Sequence, residues 1–316
     1  MSAAIRGRVV ARFGPRYLLR LDVAPDAAVP GPGGAQARAL ASEVDAVARG
    51  RRMDVVVGDR VQATRERELY VIESVEPRRN LLFRSDASHT KPLAANVDQV
   101  AIVFAIQPPP QKEFVWRALL AARSAGIASI AILNKTDLES GGAQSILDDI
   151  AALGGRVLRV SARTDPEGTR ARLARECAGR ATLFVGQSGM GKSTLLQLLI
   201  GAAVRTGALT RRGTHGRQTT TATRWFPFGP DGAVIDTPGF HEFGLAHLPA
   251  TRIISWMPEF AAIDQPCRFD DCRHAEEPGC QIRMAVERGA ISQERYAFYR
   301  KLCAEEAAYR RAERGF

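Results

Sequence analysis

The chain has 316 residues, room for two or three domains, with 45% hydrophobic and 25% charged side chains and a formal net charge of +10. No run of 18 or more apolar residues is present, which excludes a transmembrane helix and leaves no reason to expect a membrane partner. Five cysteines are too few for a disulfide scaffold in a chain of this length, and three of them crowd between Cys267 and Cys280, a spacing that points to metal.

The arginines of MSAAIRGRVVARFG are not followed by an apolar segment of the secretory kind, so the expected compartment is the cytoplasm. Residues 1–84 carry 15 basic and 10 acidic side chains, residues 85–243 carry 18 and 13, and residues 244–316 carry 11 of each. The excess in the first two thirds favours a phosphate-rich partner, although only five of the basic residues are Lys, which also fits an Arg-rich genome.

From Ile5 to Val75 short alternating runs (IRGRVVARF, RYLLRLDV, MDVVV, RVQAT, LYVIESV) predict β-strands separated by Gly, Asp and Arg-rich turns. Pro30 to Arg52, with PGPGG, reads as a long loop holding at most one short strand. Such a series predicts a small barrel of the OB type, a common oligonucleotide binder, and an SH3-like barrel gives the same pattern. After Phe83 the pattern changes. Apolar strands at 99–105, 127–133, 156–160 and 181–185 alternate with helical periodicity near 113–125, 145–153 and 169–178, which predicts a parallel sheet covered by helices. Past Gly244 come a Cys/His knot and two helical stretches. The domain reading is a barrel over 1–84, an α/β P-loop domain over 85–243 and a metal-binding, α-rich module over 244–316.

GQSGMGKS follows the strand ATLFV and precedes the helical STLLQLLIGAA, the setting of a phosphate-binding loop. Gly186, Gln187, Ser188, Gly189, Met190 and Gly191 would wrap their backbone round the phosphates, Lys192 would reach the β- and γ-phosphates, Ser193 would bind Mg²⁺, and Thr194 completes the turn. In AVIDTPG, Asp236 ends a strand where it could hold the Mg²⁺ shell, and the Gly239 N–H could meet the γ-phosphate. Asn134-Lys135-Thr136-Asp137 ends another strand. The Asp137 carboxylate can accept from the N1–H and exocyclic amine of guanine, a donor pair adenine lacks, so GTP and GDP are expected over ATP. Asn134 would brace the loop, the Lys135 stem would lie along the base, and Ser161-Ala162 would present the Ala162 N–H to the guanine carbonyl. NKTD and Ser-Ala come before GQSGMGKS and DTPG, the reverse of small GTPases, so the domain reads as circularly permuted. That order also ties DTPG covalently to the Cys/His region.

Cys267, Cys272, His274 and Cys280 lie within 14 residues and form a Cys₃His set suited to one structural zinc ion. Cys177 and Cys303 stand alone in helical stretches and are expected as small packed hydrophobes. In the last helix Tyr296 and Tyr299 are expected to pack on this module, whereas Arg300, Arg310 and Arg311 are equally suited to solvent or RNA.

The whole constellation resembles the ribosome small-subunit-dependent GTPases, the RsgA-like family. The resemblance includes VVGDRV (56–61), VEPRRNLLFR (75–84) and KPLAANVDQV (91–100), segments that generic GTPases lack. It implies an OB barrel, a permuted G domain and a zinc module. It also implies GTP hydrolysis stimulated by the small (30S) ribosomal subunit during late maturation, with 16S rRNA contacts, by a cytoplasmic monomer. The chain departs from the family in HGRQTTT (215–221), where Gln218 replaces a His before the threonines. Thr220 aligns with the Mg²⁺ ligand of the switch. Phe240 follows DTPG where Ras-like proteins have the water-positioning Gln, so Gln218 is the candidate for that task and His215 the alternative. Two other classes remain open at this stage: an RNA-binding or RNA-chaperone module using GTP only as a conformational ligand, and a P-loop enzyme acting on a small substrate.

Overall fold

The computed structural model describes residues 4–22, 43–50, 54–85, 90–138, 144–201, 222–237 and 243–314. The first five strands, β1 (Ile5–Phe13), β2 (Arg16–Leu21), β3 (Glu43–Ala48), β4 (Arg60–Glu66) and β5 (Leu69–Val75), alternate buried and solvent-facing residues along their length. They pair in the order β1-β2-β3-β5-β4, and β1 pairs β4 to close the ring. This order, with parallel β3 and β5, is that of the OB barrel rather than the SH3 alternative. Val9, Leu19, Leu21, Val61, Ala63 and Ile72 fill its interior. The expected strand MDVVV does not form. Val55, Val56 and Val57 instead turn inward, fixed by Asp59, whose carboxylate accepts from the Val56 N–H at 2.8 Å and from Arg78 Nε at 2.7 Å. The fifth strand is β3, at the far end of the Gly/Ala-rich stretch.

The three segments that set the chain apart from generic GTPases meet at one joint. Gly58 N–H donates to Val9, Ala95 N–H to Val57, and the Asn96 amide to the Gly58 carbonyl at 3.0 Å. Arg79 bonds Asp98 at 2.8 Å, and Asn80 exchanges hydrogen bonds with Val97 through both its amide atoms. Between them run the hairpin strands β6 (Leu81–Ser85) and β7 (Thr90–Ala95). Arg8 donates to the Gly58 carbonyl and stacks 4.5 Å over the Trp225 ring, so the barrel and the following sheet share this joint.

The second sheet region contains β8 (Gln99–Phe104), β9 (Ala128–Leu133), β10 (Arg156–Arg159), β11 (Ala181–Gly186), β12 (Arg224–Phe228) and β13 (Gly232–Asp236). Its order is β10-β9-β8-β11-β13-β12, parallel except for β12, which continues into the barrel through Ala11 opposite Arg224. β8 and β11 are buried at every position, as strands covered on both faces must be. Helices α1 (Lys112–Ser124), α2 (Gln144–Ala152), α3 (Pro166–Cys177) and α4 (Lys192–Ile200) provide the covering, within one to three residues of the expected bounds. Cys177 is buried against this core, where burial raises its thiol to about 11.

Four helices follow: α5 (Ala250–Ile254), α6 (Pro258–Ala261), α7 (Gln281–Glu287) and α8 (Gln293–Glu313). α8 packs on α1. Phe298 and Tyr299 are buried, Trp116 meets Phe298 at 5.2 Å, and the buried Arg117 guanidinium forms a two-bond ion pair with Glu305 at 3.0 and 2.5 Å. Tyr296 reaches the Cys/His region, its hydroxyl donating to the His274 carbonyl at 2.6 Å, so both tyrosines pack as expected. Cys303 is half-buried against the same core. Among the described residues no helix is long and apolar enough to cross a membrane.

Gly58 is the tightest point of the joint. Its φ is +95°, and a Cβ would stand 2.0 Å from the Ala95 carbonyl oxygen and 3.2 Å from Trp225. Gly58→Ala is therefore expected to destabilise the protein by about 3 kcal/mol. Gly14→Ala, at φ +60° with open space around it, should cost about 1 kcal/mol. Urea denaturation of the two variants reads the difference, and equal costs would contradict the close approach.

Candidate functional site

Parallel strands bring their C-terminal ends to one edge of the sheet, where ligands of open α/β folds bind. β9 ends at Leu133, level with Phe104 of β8 and Arg159 of β10, and Phe184 of β11 lies level with Asp236 of β13. Asn134, Ser161, Gly186 and Asp236 thus emerge side by side although they lie up to about a hundred residues apart in the chain.

Residues 187–191 connect β11 to α4. Gln187 anchors one side, its Oε1 accepting from the Gln111 N–H at 2.9 Å, while Ser188 and Gly189 are exposed and Met190 turns into the core with Phe184, Leu195 and Leu196. Gly191 caps α4 at φ +88°, and a Cβ there would lie 2.2 Å from the Asn134 amide nitrogen. Ser193 and Thr194 stand exposed in the first turn of α4. Lys192 at the same turn is ion-paired with Asp236, both half-buried. Next to Asp236 the buried Thr237 hydroxyl donates to the Phe184 carbonyl at 2.8 Å, tying the end of β13 to β11.

The base-loop residues converge on the same place. Asn134 is 2% exposed; its Nδ2 donates to the Met190 carbonyl at 3.0 Å and its Oδ1 accepts from the Ala162 N–H at 3.3 Å. A single side chain therefore holds the phosphate loop, the NKTD loop and the Ser-Ala loop together. Lys135, at φ +60°, sends its ammonium to the Gln107 carbonyl at 3.0 Å. Thr136 hydrogen-bonds the Val160 carbonyl, and Asp137 stands exposed in the short 3₁₀ turn Thr136–Leu138. Ser161 Oγ donates to Asp137 at 2.5 Å and accepts from the Thr164 hydroxyl at 2.8 Å. The Ser161 bond holds the Asp137 carboxyl below the usual carboxylate range, so it is ionised and can accept from a ligand. Gly239, Gln218, Thr220 and His215 lie outside the described residues.

Two contributors were not visible from spacing. The segment 107–111 (QPPPQ) supplies the Gln107 carbonyl and the Gln111 N–H that brace Lys135 and Gln187. Its position at the C-terminal end of an apolar strand is the signal that marks it. Thr164 supports Ser161 and is detectable only through its contact.

The second cluster is the Cys/His knot. Ligand atoms of Cys267, Cys272, His274 and Cys280 all lie within 4.8 Å of one another. The His274 Nδ1 is 3.6, 3.5 and 3.5 Å from the three sulfurs in that order. Zn–S of about 2.3 Å and Zn–N of about 2.0–2.1 Å at tetrahedral angles require S···N edges of about 3.6 Å, so the four residues fit that ion. Gln281 N–H points at the Cys267 sulfur at 3.4 Å and Arg283 N–H at Cys280 at 3.5 Å, contacts that favour thiolates. Burial and the neighbouring thiols otherwise push the Cys272 thiol up to about 12, so a cation is what lets Cys272 ionise at neutral pH.

Comparison with known proteins agrees with this geometry. Residues 75–246 match the RsgA GTPase family. A relative named small ribosomal subunit biogenesis GTPase RsgA, from Paraburkholderia xenovorans, is 44% identical over 313 residues, covering 96% of this chain and 94% of its own. The chain belongs to the RsgA GTPase family. An RsgA of the same name from Bordetella pertussis is 44% identical over 267 residues, covering 83% of this chain and 89% of its own. Among solved structures, YjeQ from Thermotoga maritima superposes with a TM-score of 0.63 at 26% identity, covering 96% of this chain and 99% of that one. YloQ, described as a circularly permuted GTPase, superposes at 0.61 and 22% identity over 96% of each chain, and shares the fold. The permutation read from motif order is thus a property of the RsgA fold.

Two outcomes follow from the site. Gly191→Ala should weaken nucleotide binding at least about 10-fold in calorimetry, because the added methyl displaces the Asn134 amide; unchanged affinity would contradict the contact. Purified protein should carry one metal ion per chain by elemental analysis, and Cys272→Ser should lose the ion and lower Tm, whereas a metal-free chain of wild-type Tm would contradict the reading of the knot.

Proposed function

We propose that this protein hydrolyses GTP to GDP and phosphate, is stimulated by the small ribosomal subunit, and acts in late maturation of that subunit through contacts with 16S rRNA. The observation that carries the reading is the Asn134 amide bonded to both the phosphate loop and the Ser-Ala loop. It makes the reversed halves of a G domain into one pocket. Membership of the RsgA family supports the ribosomal role.

In this reading Asp137 accepts from the guanine N1–H and amine, the Ala162 N–H is shared between Asn134 Oδ1 and the guanine carbonyl, and the Lys135 stem covers the base. Residues Gly186 to Gly191 cradle the phosphates with their N–H groups, and the phosphates compete with Asp236 for Lys192. Ser193 and Thr220 would hold Mg²⁺, with Asp236 in its outer shell, and Gly239 N–H would meet the γ-phosphate. When bound, Mg²⁺ neutralises charge that develops on the phosphoryl oxygens. Lys192 adds to that neutralisation, and Gln218 orients the attacking water, with His215 as the alternative. Cys267, Cys272, His274 and Cys280 hold one structural zinc ion. The working division is a barrel over 1–84, the permuted G domain over 85–243 and the zinc module over 244–316, in a cytoplasmic monomer.

Multiple-turnover phosphate release tests the reading. GTP turnover should rise when 30S subunits are added, and a rate indifferent to them would contradict the ribosomal role. Asp137→Asn replaces a carboxylate that accepts two hydrogen bonds by an amide that donates. GTP turnover at subsaturating nucleotide should fall about 100-fold, while xanthosine triphosphate, with a carbonyl in place of the amine, should become a substrate. Gln218→Ala should lower the stimulated rate with little change in GDP affinity; an unchanged rate assigns the water to another group.

A further inference from the structure

The edge of the parallel sheet opposite the nucleotide site carries a second feature. The N-terminal ends of β8, β9 and β10 and the C-terminal end of α3 enclose a cleft of about 490 Å³, lined by Gln99, Ser129, Arg156, Arg175, Glu176 and Arg180. Strands of six residues put about 20 Å between this cleft and the loops at the other edge. A ligand here does not compete with nucleotide.

The lining is basic and incompletely compensated. Glu176 is its one carboxylate, bonded to Arg156 at 2.8 Å, and its backbone carbonyl accepts from Arg180 at 2.9 Å. The third guanidinium, Arg175, is exposed and makes no hydrogen bond or ion pair among the described residues. Gln99 is 2% exposed, its backbone held between β9 and β11, yet its amide has no hydrogen-bond partner among the described residues. The Gln99 amide, lining a cleft with three guanidinium groups, is suited to donate to an anion. The C-terminal half of α3 and the turn after it reinforce the sign: residues 170–180 together with Arg156 hold five arginines and one acid. Charge extending well beyond the cleft suits a polyanion rather than a single small anion.

We propose that this cleft is a docking site for the phosphate backbone of RNA, separate from the GTP pocket. The inference rests on the ribosomal reading above. Phosphodiester oxygens would bond Arg175 and Arg180 at the rim and the Gln99 amide at the floor, giving orientation without base sequence readout.

The test is sedimentation of the full-length protein with 30S subunits over a series of KCl concentrations. Each phosphate contact contributes about 0.7–0.9 to the slope of log K against log salt. The variant Arg156→Ala/Arg175→Ala/Arg180→Ala should reduce the magnitude of that slope by about 2 and weaken binding about 10-fold at moderate salt. Its Tm and GDP affinity should remain those of the wild type. The single exposed change Arg175→Ala should reduce the slope by about 1, and provides the reading if the triple variant folds poorly. Equal slopes for wild type and variants would overturn the inference while leaving the ribosomal role standing. A wild-type chain that fails to bind 30S particles would overturn both. The same titration on protein-free 16S rRNA separates partners: a variant weakened on 30S particles but unchanged on the RNA would assign the cleft to a ribosomal protein and overturn the RNA assignment.

Discussion

The site depends on one buried amide. Asn134 leaves the end of β9 and spends both of its hydrogen-bonding atoms on backbone of other loops, the Met190 carbonyl and the Ala162 N–H. Both partners follow it in the chain but serve different halves: Ala162 belongs to the half that would read the base, Met190 to the half that would hold the phosphates. A buried amide missing one partner incurs a desolvation cost of about 1–3 kcal/mol, so each bond enforces the other. Gly191 is the corollary, because any side chain there would occupy the space of that amide.

Around this point the chain order ceases to matter. β11 carries the phosphate loop and sits between β8 and β13, so the sheet supplies the correct neighbours although β8, β9 and β10 precede it. Permutation instead changes what is attached to the edges. β12 meets the barrel strand β1, with Arg224 bonded to Glu43 at 3.1 Å, and the chain leaving β13 runs into the helices that pack α8 on α1. α1 in turn begins beside Gln111, whose N–H is bonded to Gln187 of the phosphate loop. The three regions are thus joined to the loops of the nucleotide edge by short, named contacts.

Much of this was legible in the residues. Apolar runs such as QVAIVFA and ATLFV can be buried on both faces only in a covered parallel sheet, and GQSGMGKS needs its strand and helix where they stand. The Cys₃His set announced itself by spacing. Legibility failed where the cause is a distant partner. MDVVV has the alternation of a strand, yet Asp59 bonded to Val56 and Arg78 turns it into a joint, and nothing within the segment reveals Arg78. Barrel closure was equally hidden, because the choice between OB and SH3-like order lies in the β1–β4 and β3–β5 pairings rather than in any one strand. The QPPPQ segment offered no side-chain chemistry of its own; it acts through a carbonyl at Gln107 and an N–H at Gln111 that any residue but proline would carry.

The central claim is that base recognition and phosphate binding, encoded in reversed order, form a single guanine-nucleotide pocket. Isothermal calorimetry of the wild-type chain with GDP and with ADP tests it most directly. The account predicts one GDP site per chain and ADP affinity at least about 10³-fold lower, because adenine leaves the Asp137 carboxylate without its donors. Equal affinities for the two nucleotides would contradict it.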